Sequence, residues 1–278
     1  MSPSISGLLG RIQIGDTAAT GLQKAGAGAV ILFLYLPIAV VIMLSFTPQT
    51  TPTFPMPGVS LRWYEALLQD DAMIDALVLS SELAFVTTVV SIVVGSLAAF
   101  GIVRTDFGDS VLDEGKLRLL FSLPILIPWI ITGIGGLVFF NVIGLFGTFR
   151  SYLIGHVLIT LPFTTLVVAS GLDGFDVSLE EAAMNLGATK RRAYFEVTLP
   201  MIMPSIVAAM LFAFILSFNN FIHTFFWLSF SDQTLPVYIF GLLRRTYDPT
   251  LNAIGTFLIV FSLAVTITAE RISSRVLT

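Results

Sequence analysis

The sequence predicts an all-α, polytopic membrane protein with about six transmembrane helices. Of its 278 residues, 55% are hydrophobic and 12% are charged, whereas soluble domains carry about 25% charged residues. Six apolar segments are long enough to cross roughly 30 Å of hydrocarbon, which takes about 20 helical residues. The chain has no cysteine, which excludes disulfides and thiolate metal sites. We therefore expect a protein whose apolar surface is covered by lipid.

The six predicted spans are joined by polar or proline-rich loops. A seventh apolar segment, Leu235–Leu243, is too short to span, and we predict a re-entrant or interfacial helix on the outer side. The pattern defines a cytosolic N-terminal segment at residues 1–25, a transmembrane domain at 26–270 with a cytosolic loop at 174–199, and a cytosolic tail at 271–278. We place the spans at Gly26–Phe46, Leu79–Val103, Leu119–Ile143, Tyr152–Leu172, Met201–Leu228 and Leu251–Ala269.

The basic residues predict the orientation, because cytoplasmic segments carry an excess of Lys and Arg. With both termini in the cytoplasm, ten basic residues lie inside and four outside, and the opposite orientation would invert this ratio. The N-terminal segment lacks the features of a cleavable signal peptide, so we expect the first span to remain as an anchor. The inner residues are Arg11, Lys24, Arg104, Lys116, Arg118, Lys190, Arg191, Arg192, Arg271 and Arg275, and the outer ones are Arg62, Arg150, Arg244 and Arg245.

The loop between the fourth and fifth spans predicts two short helices that meet at a bend. Ser178 and Glu181 form an S-x-x-E pattern, which is typical of a capping box at a helix start. Gly187 is suited to end this helix in the left-handed conformation, and Thr189 can cap a second helix. Pro200 is predicted to begin the fifth span. One face of the first helix is apolar, since Leu179, Ala182, Ala183 and Leu186 follow helical spacing.

An apolar face on a short cytosolic helix needs a partner. That partner can be the ends of the protein's own spans, the lipid surface, or another protein. Amphipathicity by itself does not choose between them.

Polar residues and prolines inside the spans are candidates for a solute path. A carboxylate at membrane depth is costly, so Glu82 is a candidate site, with a solvated position at the membrane edge as the alternative. Asn219 and Asn220 lie deep in the fifth span and can line the path or join helices. Pro124 and Pro128 in the third span predict a kinked helix that faces the path, or ordinary transmembrane packing.

The spacing of the 174–199 loop resembles the EAA loop of type I ABC-importer permeases. The loop reads E-A-A, three residues, Gly, nine residues, Val, one residue and Leu-Pro, and Val197 stands where the family commonly has Ile. In that family, the loop docks on the ATPase subunit. The resemblance implies an ATPase-coupling role for Glu181, Ala182, Ala183, Leu186, Gly187, Leu199 and Pro200.

Further motifs occur in the order found in the spermidine/putrescine permease branch. This resemblance implies a second permease subunit, an ATPase dimer and an extracytoplasmic solute-binding protein, with a polyamine as the expected solute. That branch often has two Asp where this chain has Asn219 and Asn220. The two neutral amides suit a neutral or less cationic solute at least as well as a polyamine. The motifs are Tyr35-Leu-Pro-Ile38, Ser45-Phe46, Trp63-Tyr64, Leu161-Pro162-Phe163, Gly174-Phe175-Asp176, Leu235-Pro236 and Asn252-Ala253.

The sequence predicts no catalysis by this chain. It has no G-x-x-x-x-G-K-[ST] segment to hold ATP phosphates, so ATP and Mg²⁺ are expected on the partner ATPase. No cofactor, metal or nucleic acid is expected on this chain. The predicted function is therefore the permease subunit of an ATP-driven importer in the cell membrane. The alternative is a stand-alone, ion-coupled transporter or channel, which predicts inverted repeats with broken helices.

Overall fold

The computed structural model describes residues 16–51, 53, 55–105, 107–108, 113–229, 232–245 and 248–276. The predictions for Arg11, for most of the N-terminal segment and for the end of the tail therefore lie outside the described residues. Within them, the chain is helical and contains no strand. The helices are α1 Asp16–Ser45, α2 Arg62–Leu68, α3 Asp71–Arg104, α4 Glu114–Leu126, α5 Trp129–Val142, α6 Phe149–Asp173, α7 Ser178–Asn185, α8 Lys190–Ala193, a π-helix Tyr194–Thr198, α9 Leu199–Met201, α10 Met203–Phe218, α11 Ile222–Trp227, α12 Leu235–Arg245 and α13 Thr250–Val276.

The described helices confirm the all-α class and the approximate number of spans. Four of them, α1, α3, α6 and α13, are long and apolar enough to cross a membrane. Two further spans result if each of two bent helix pairs counts as one crossing. The short apolar segment forms α12, as predicted for a helix too short to span.

The third span is kinked, as its two prolines predict, and the kink is sharp enough to separate two helices. It is divided into α4 and α5, which meet at an angle of 90°. Ile127 between them is extended, and both Ile127 and Pro128 have a non-helical ψ of 128°. The physical cause is Pro128, since its ring disfavours the helical conformation for the preceding residue.

The predicted fifth span is wrong as a single helix. Pro200 lies in α9, and a 66° bend at Ile202 separates the preceding helical segment from α10. A second break follows α10, so that Asn219 and Asn220 lie between α10 and α11 instead of inside a helix. Pro204 is tolerated in the first turn of α10, where its missing N–H is not needed.

The backbone contacts divide the chain into two units, Ala66–Asp248 with Leu258–Thr278 and Met1–Glu65 with Pro249–Phe257. In the first unit, α3, α6 and α10 pack together through small and hydroxyl-bearing residues. The Ser91 and Thr160 hydroxyls lie 2.7 Å apart between α3 and α6. Small residues are typical of such interfaces, because lipid offers no hydrophobic force to join helices and close backbone packing must do so.

In the second unit, α1 joins the start of the following loop. The apolar part of α1 has no buried residue, as expected for a helix covered by lipid or another chain. The Ser45 and Tyr64 hydroxyls lie 2.7 Å apart, and the Trp63 indole donates to the Thr47 carbonyl at 2.7 Å. The two motifs Ser45-Phe46 and Trp63-Tyr64 are therefore in contact.

Trp227 of α11 packs closely against α5 and α6. Its indole N–H donates to the Gly133 carbonyl at 2.8 Å, and its ring meets Phe140 edge-on at a centroid distance of 5.4 Å. A Cβ atom at Gly155 would overlap this ring. The backbone of α6 can approach Trp227 only because Gly155 has no side chain.

We expect Gly155→Ala to destabilise the fold by about 1–3 kcal/mol, the usual cost of overpacking a core. Thermal unfolding of the detergent-purified protein, followed by size-exclusion chromatography, measures the effect. Gly101→Ala is the matched control, because a Cβ there meets no atom within 4 Å. Equal unfolding temperatures for the two variants would contradict the close contact with Trp227.

Candidate functional site

The 174–199 loop forms two short helices that meet at a bend. Their apolar side is exposed. Gly187 has φ of +96°, so the predicted left-handed bend after α7 is confirmed. Leu186, beside the bend, is 91% exposed. Ala182 is exposed and Ala183 is half-buried, while a Cβ at Gly187 would meet no atom within 4 Å. The face predicted to need a partner therefore has none within the described residues.

The capping of the two short helices differs from the prediction at the first and agrees at the second. Ser178 does not form a capping box with Glu181, because the cap position of α7 is Val177 and no side chain accepts a bond there. Instead, Asp176 accepts a hydrogen bond from the Ser178 N–H at 3.0 Å. Hydrogen bonds from the Ser178 side chain and backbone hold the pKa of the Asp176 carboxyl below its usual range. Thr189 caps α8 by accepting from the Arg192 N–H.

Glu180 is the residue of this loop that sequence reasoning missed. Its side chain is buried, and its Oε1 accepts from Arg104 Nη2 at 2.8 Å and from the Thr198 hydroxyl. Glu181, the next residue, is exposed. The sequence contains no signal for this difference, since two adjacent glutamates on an isolated helix are equivalent until Arg104 is known to lie beside one of them.

Leu199 and Pro200 close the loop in a distorted helical segment. The π-helix Tyr194–Thr198 precedes them, and Thr198 at its end is fully buried. Leu199 is half-buried and Pro200 is exposed. A π-helix carries one extra residue per turn and is frequent at functional sites.

The two asparagines of the candidate solute path lie in different environments. Asn219 is exposed, whereas Asn220 is 3% exposed. Asn220 Oδ1 accepts from the His223 N–H at 3.1 Å, and its amide nitrogen lies 3.1 Å from His223 Nδ1. His223 Nε2 lies 2.7 Å from the Thr132 hydroxyl of α5. Asn220 therefore holds the start of α11, and His223 joins α11 to α5.

A second buried histidine completes this polar cluster. His156 of α6 lies 2.7 Å from the Ser217 hydroxyl and 3.1 Å from the Thr224 hydroxyl. The Thr224 hydroxyl donates to the Asn220 carbonyl at 2.6 Å. Side chains thus satisfy the backbone groups released by the helix break, which is a requirement in lipid.

A cavity of about 360 Å³ lies beside the break between α4 and α5. Pro124 and His223 contribute to its otherwise mostly aromatic and aliphatic wall, together with Trp129 and Trp227. Glu82 is exposed on α3 and does not line this cavity, and neither does Asn219. The structure therefore does not bring all five predicted path residues to one cavity.

The comparisons with known proteins agree with this geometry. The chain matches the binding-protein-dependent transport system inner membrane component family over residues 20–278. It is 31% identical to the spermidine/putrescine transport system permease protein PotC of Haemophilus influenzae over 91% of this chain and 97% of that protein. It is 35% identical to the putrescine transport system permease protein PotI of Escherichia coli K12 over 82% of each chain.

The fold is also that of a solved importer. A chain in the crystal structure of a bacterial ABC transporter that imports the acidic polysaccharide alginate superposes with a TM-score of 0.70. The sequences are 19% identical, and the match covers 94% of this chain and 96% of that chain. The type I ABC-importer permease fold predicted from the sequence is confirmed.

The fold and the family match define the class of protein as an inner-membrane permease component of an ABC importer. The chain belongs to the binding-protein-dependent transport system inner membrane component family, and its relatives include polyamine permeases. The stand-alone transporter considered from sequence is therefore the weaker alternative.

We expect Asn220→Ala to destabilise the protein by about 1 kcal/mol, the typical cost of losing a side-chain acceptor at a helix start. Asn219→Ala should change the stability by less than about 0.5 kcal/mol, because its side chain is exposed. Thermal unfolding of both purified variants measures the difference. An equal loss in both would show that Asn220 does not hold the start of α11.

Proposed function

We propose that this chain is the permease subunit of an ATP-driven importer in which α7 and the Gly187 bend dock on the ATPase. The exposed apolar side of this bent unit, with Leu186 91% exposed, carries the proposal. Such a surface on a cytosolic loop needs a partner, and the resemblance to the EAA loop favours an ABC ATPase over the lipid surface. Glu181, Ala182 and Ala183 form the docking side, and Leu199-Pro200 joins it to α10.

The proposed assembly contains an ATPase dimer, a second homologous permease subunit and an extracytoplasmic solute-binding protein. ATP and Mg²⁺ bind to the ATPase. The excess of basic residues in the predicted cytosolic segments supports a cytoplasmic position for both termini. The family and the polyamine permeases among its relatives support an importer of small solutes.

The proposed solute is a polyamine such as putrescine. The relatives' names carry this assignment, since the candidate path offers few charges. Asn219 is exposed and offers both donors and acceptors to a solute, whereas Asn220 is occupied by His223. Glu82 is an exposed carboxylate on α3 and can attract a cation. Pro124 and Pro128 set the bend of the third span, which borders the cavity.

Gly187→Val should uncouple ATP hydrolysis from transport. The backbone at this position is left-handed, which costs a residue with a Cβ about 1–2 kcal/mol. A valine side chain would also project from the docking surface. Copurification of the ATPase with the tagged chain, together with putrescine uptake by cells, measures the effect. We expect a loss of both.

Gly187→Asn is the matched control for this experiment, because asparagine adopts the left-handed conformation more readily than other residues. It should retain more ATPase binding than Gly187→Val. Normal uptake in Gly187→Val would count against docking at this bend. A wild-type chain that copurifies no ATPase would refute the importer assignment itself.

Asn219→Ala should reduce putrescine uptake without loss of stability or ATPase binding, because its side chain is exposed and, among the described residues, forms no side-chain hydrogen bond. Initial uptake rates in cells that express equal amounts of protein provide the measurement. Asn219→Gln keeps the amide and serves as the control. Normal uptake by the alanine variant would place the solute path elsewhere.

A further inference from the structure

Two adjacent glutamates of α7 have different surroundings in the 174–199 loop, which we call the docking loop. Glu181 is exposed on the proposed ATPase side. The side chain of Glu180 is 7% exposed and that of Arg104 is 15% exposed, and Arg104 Nη2 lies 2.8 Å from Glu180 Oε1. The Thr198 hydroxyl donates to the same carboxylate oxygen. One carboxylate thus joins the end of α3, the docking helix α7 and the π-helix.

Aromatic contacts accompany this ion pair between the same helices. The Arg104 guanidinium lies 5.4 Å from the Phe175 ring centroid, and Phe100 meets Tyr194 edge-on at 5.6 Å. Phe175 belongs to a buried cluster that joins α3, α6 and the start of α10. Exclusion of water lowers the local dielectric constant and strengthens the attraction between the two charges.

Burial makes this link rigid. A buried charge is costly unless it is paired, and breaking such a pair by removing one partner is far more costly than losing an exposed pair. Displacement of α7 away from α3 would leave both Glu180 and Arg104 buried without a partner. Displacement of α7 together with α3 keeps the pair intact and is the movement of lower free energy.

Close contacts also join α3 to α6, so that a displacement of α3 would reach α6. The Thr164 hydroxyl of α6 donates to the Ser91 carbonyl of α3 at 3.1 Å. A Cβ at Gly95 of α3 would overlap Thr164, so the two helices are in close contact and cannot shift independently without repacking.

We propose that Arg104, Glu180 and Thr198 are positioning residues that transmit the displacement of the docked loop to α3 and so to the transmembrane core. The inference rests on the proposed function, in which α7 docks on the ATPase. It adds that docking and transmission use different residues. Glu181 and Leu186 bind the ATPase, whereas Glu180 carries the movement inward.

The test uses the full importer in proteoliposomes with Glu180→Gln. ATPase copurification should remain, because the docking surface is unchanged, while the putrescine transported per ATP hydrolysed should fall about tenfold or more, a factor equivalent to about 1.4 kcal/mol. The exchanged pair Arg104→Glu with Glu180→Arg should recover part of this ratio. Glu181→Lys should instead reduce copurification.

Asp173→Asn is the matched control. Asp173 pairs with Arg118 at 2.7 Å at the same end of α6, but this pair is exposed and lies outside the docking loop. Exposed ion pairs contribute little to rigidity, so the ratio should stay at the wild-type value. Thr198→Val removes only the hydroxyl and keeps both charges, and it decides the question if Glu180→Gln fails to insert.

A distance measurement that needs no solute tests the transmission of movement independently of the solute assignment. Spin labels at Met184 of α7 and Gly101 of α3, both exposed, should keep a constant separation between nucleotide-free and ATP-bound states. In Glu180→Gln the separation should change with nucleotide. If the wild type copurifies its ATPase but moves no putrescine, the solute assignment fails while the label distances still test transmission.

Two results would overturn the proposal. One is a wild-type transport-to-hydrolysis ratio in both Glu180→Gln and Thr198→Val. The other is a loss of ATPase copurification in Glu180→Gln as large as in Glu181→Lys, which would make Glu180 a support of the docking surface only.

Discussion

The buried ion pair between Arg104 and Glu180 is the interaction that holds the 174–199 loop to the end of α3. It joins the end of α3 to α7, and the Thr198 hydroxyl brings the π-helix to the same carboxylate. The usual distribution of polar and apolar side chains is reversed here: Glu180 is buried in the protein, while Leu186 is exposed. This reversal costs free energy in an isolated chain and is consistent with a subunit that completes its surface by binding another protein.

Helix breaks explain why polar side chains lie inside the transmembrane region. Proline disfavours a helix before Pro128, and the break after α10 leaves backbone groups that lipid cannot satisfy. The Thr224 hydroxyl bonds the Asn220 carbonyl at the break after α10, and the Trp227 indole bonds the Gly133 carbonyl inside α5. His156 and His223 extend the same cluster across neighbouring helices. Polar residues that resemble solute contacts in the sequence therefore serve in part to hold irregular backbone.

The cavity near these breaks contains few polar groups. The cavity beside α5 is lined mainly by aromatic and aliphatic side chains, with His223 and Thr132 as polar groups. Asn219 is exposed and Asn220 is not, so the adjacent amides have separate roles. Aromatic side chains of this kind can contact apolar groups and, through cation–π interactions, cations.

The sequence by itself determined the membrane class, the approximate number of spans, the short helix α12, the bend at Gly187 and the cap at Thr189. These features follow from composition, segment length and local backbone preferences, all of which are encoded over a few residues. The kink of the third span follows in the same way from its prolines. Only the tertiary structure decided that Glu180 is buried and Glu181 exposed, that Asp176 replaces Ser178 at the start of α7, and that the fifth span is broken after α10. Arg104 and Glu180 are 76 residues apart, and no local pattern predicts a contact that depends on how α3, α6 and α10 pack.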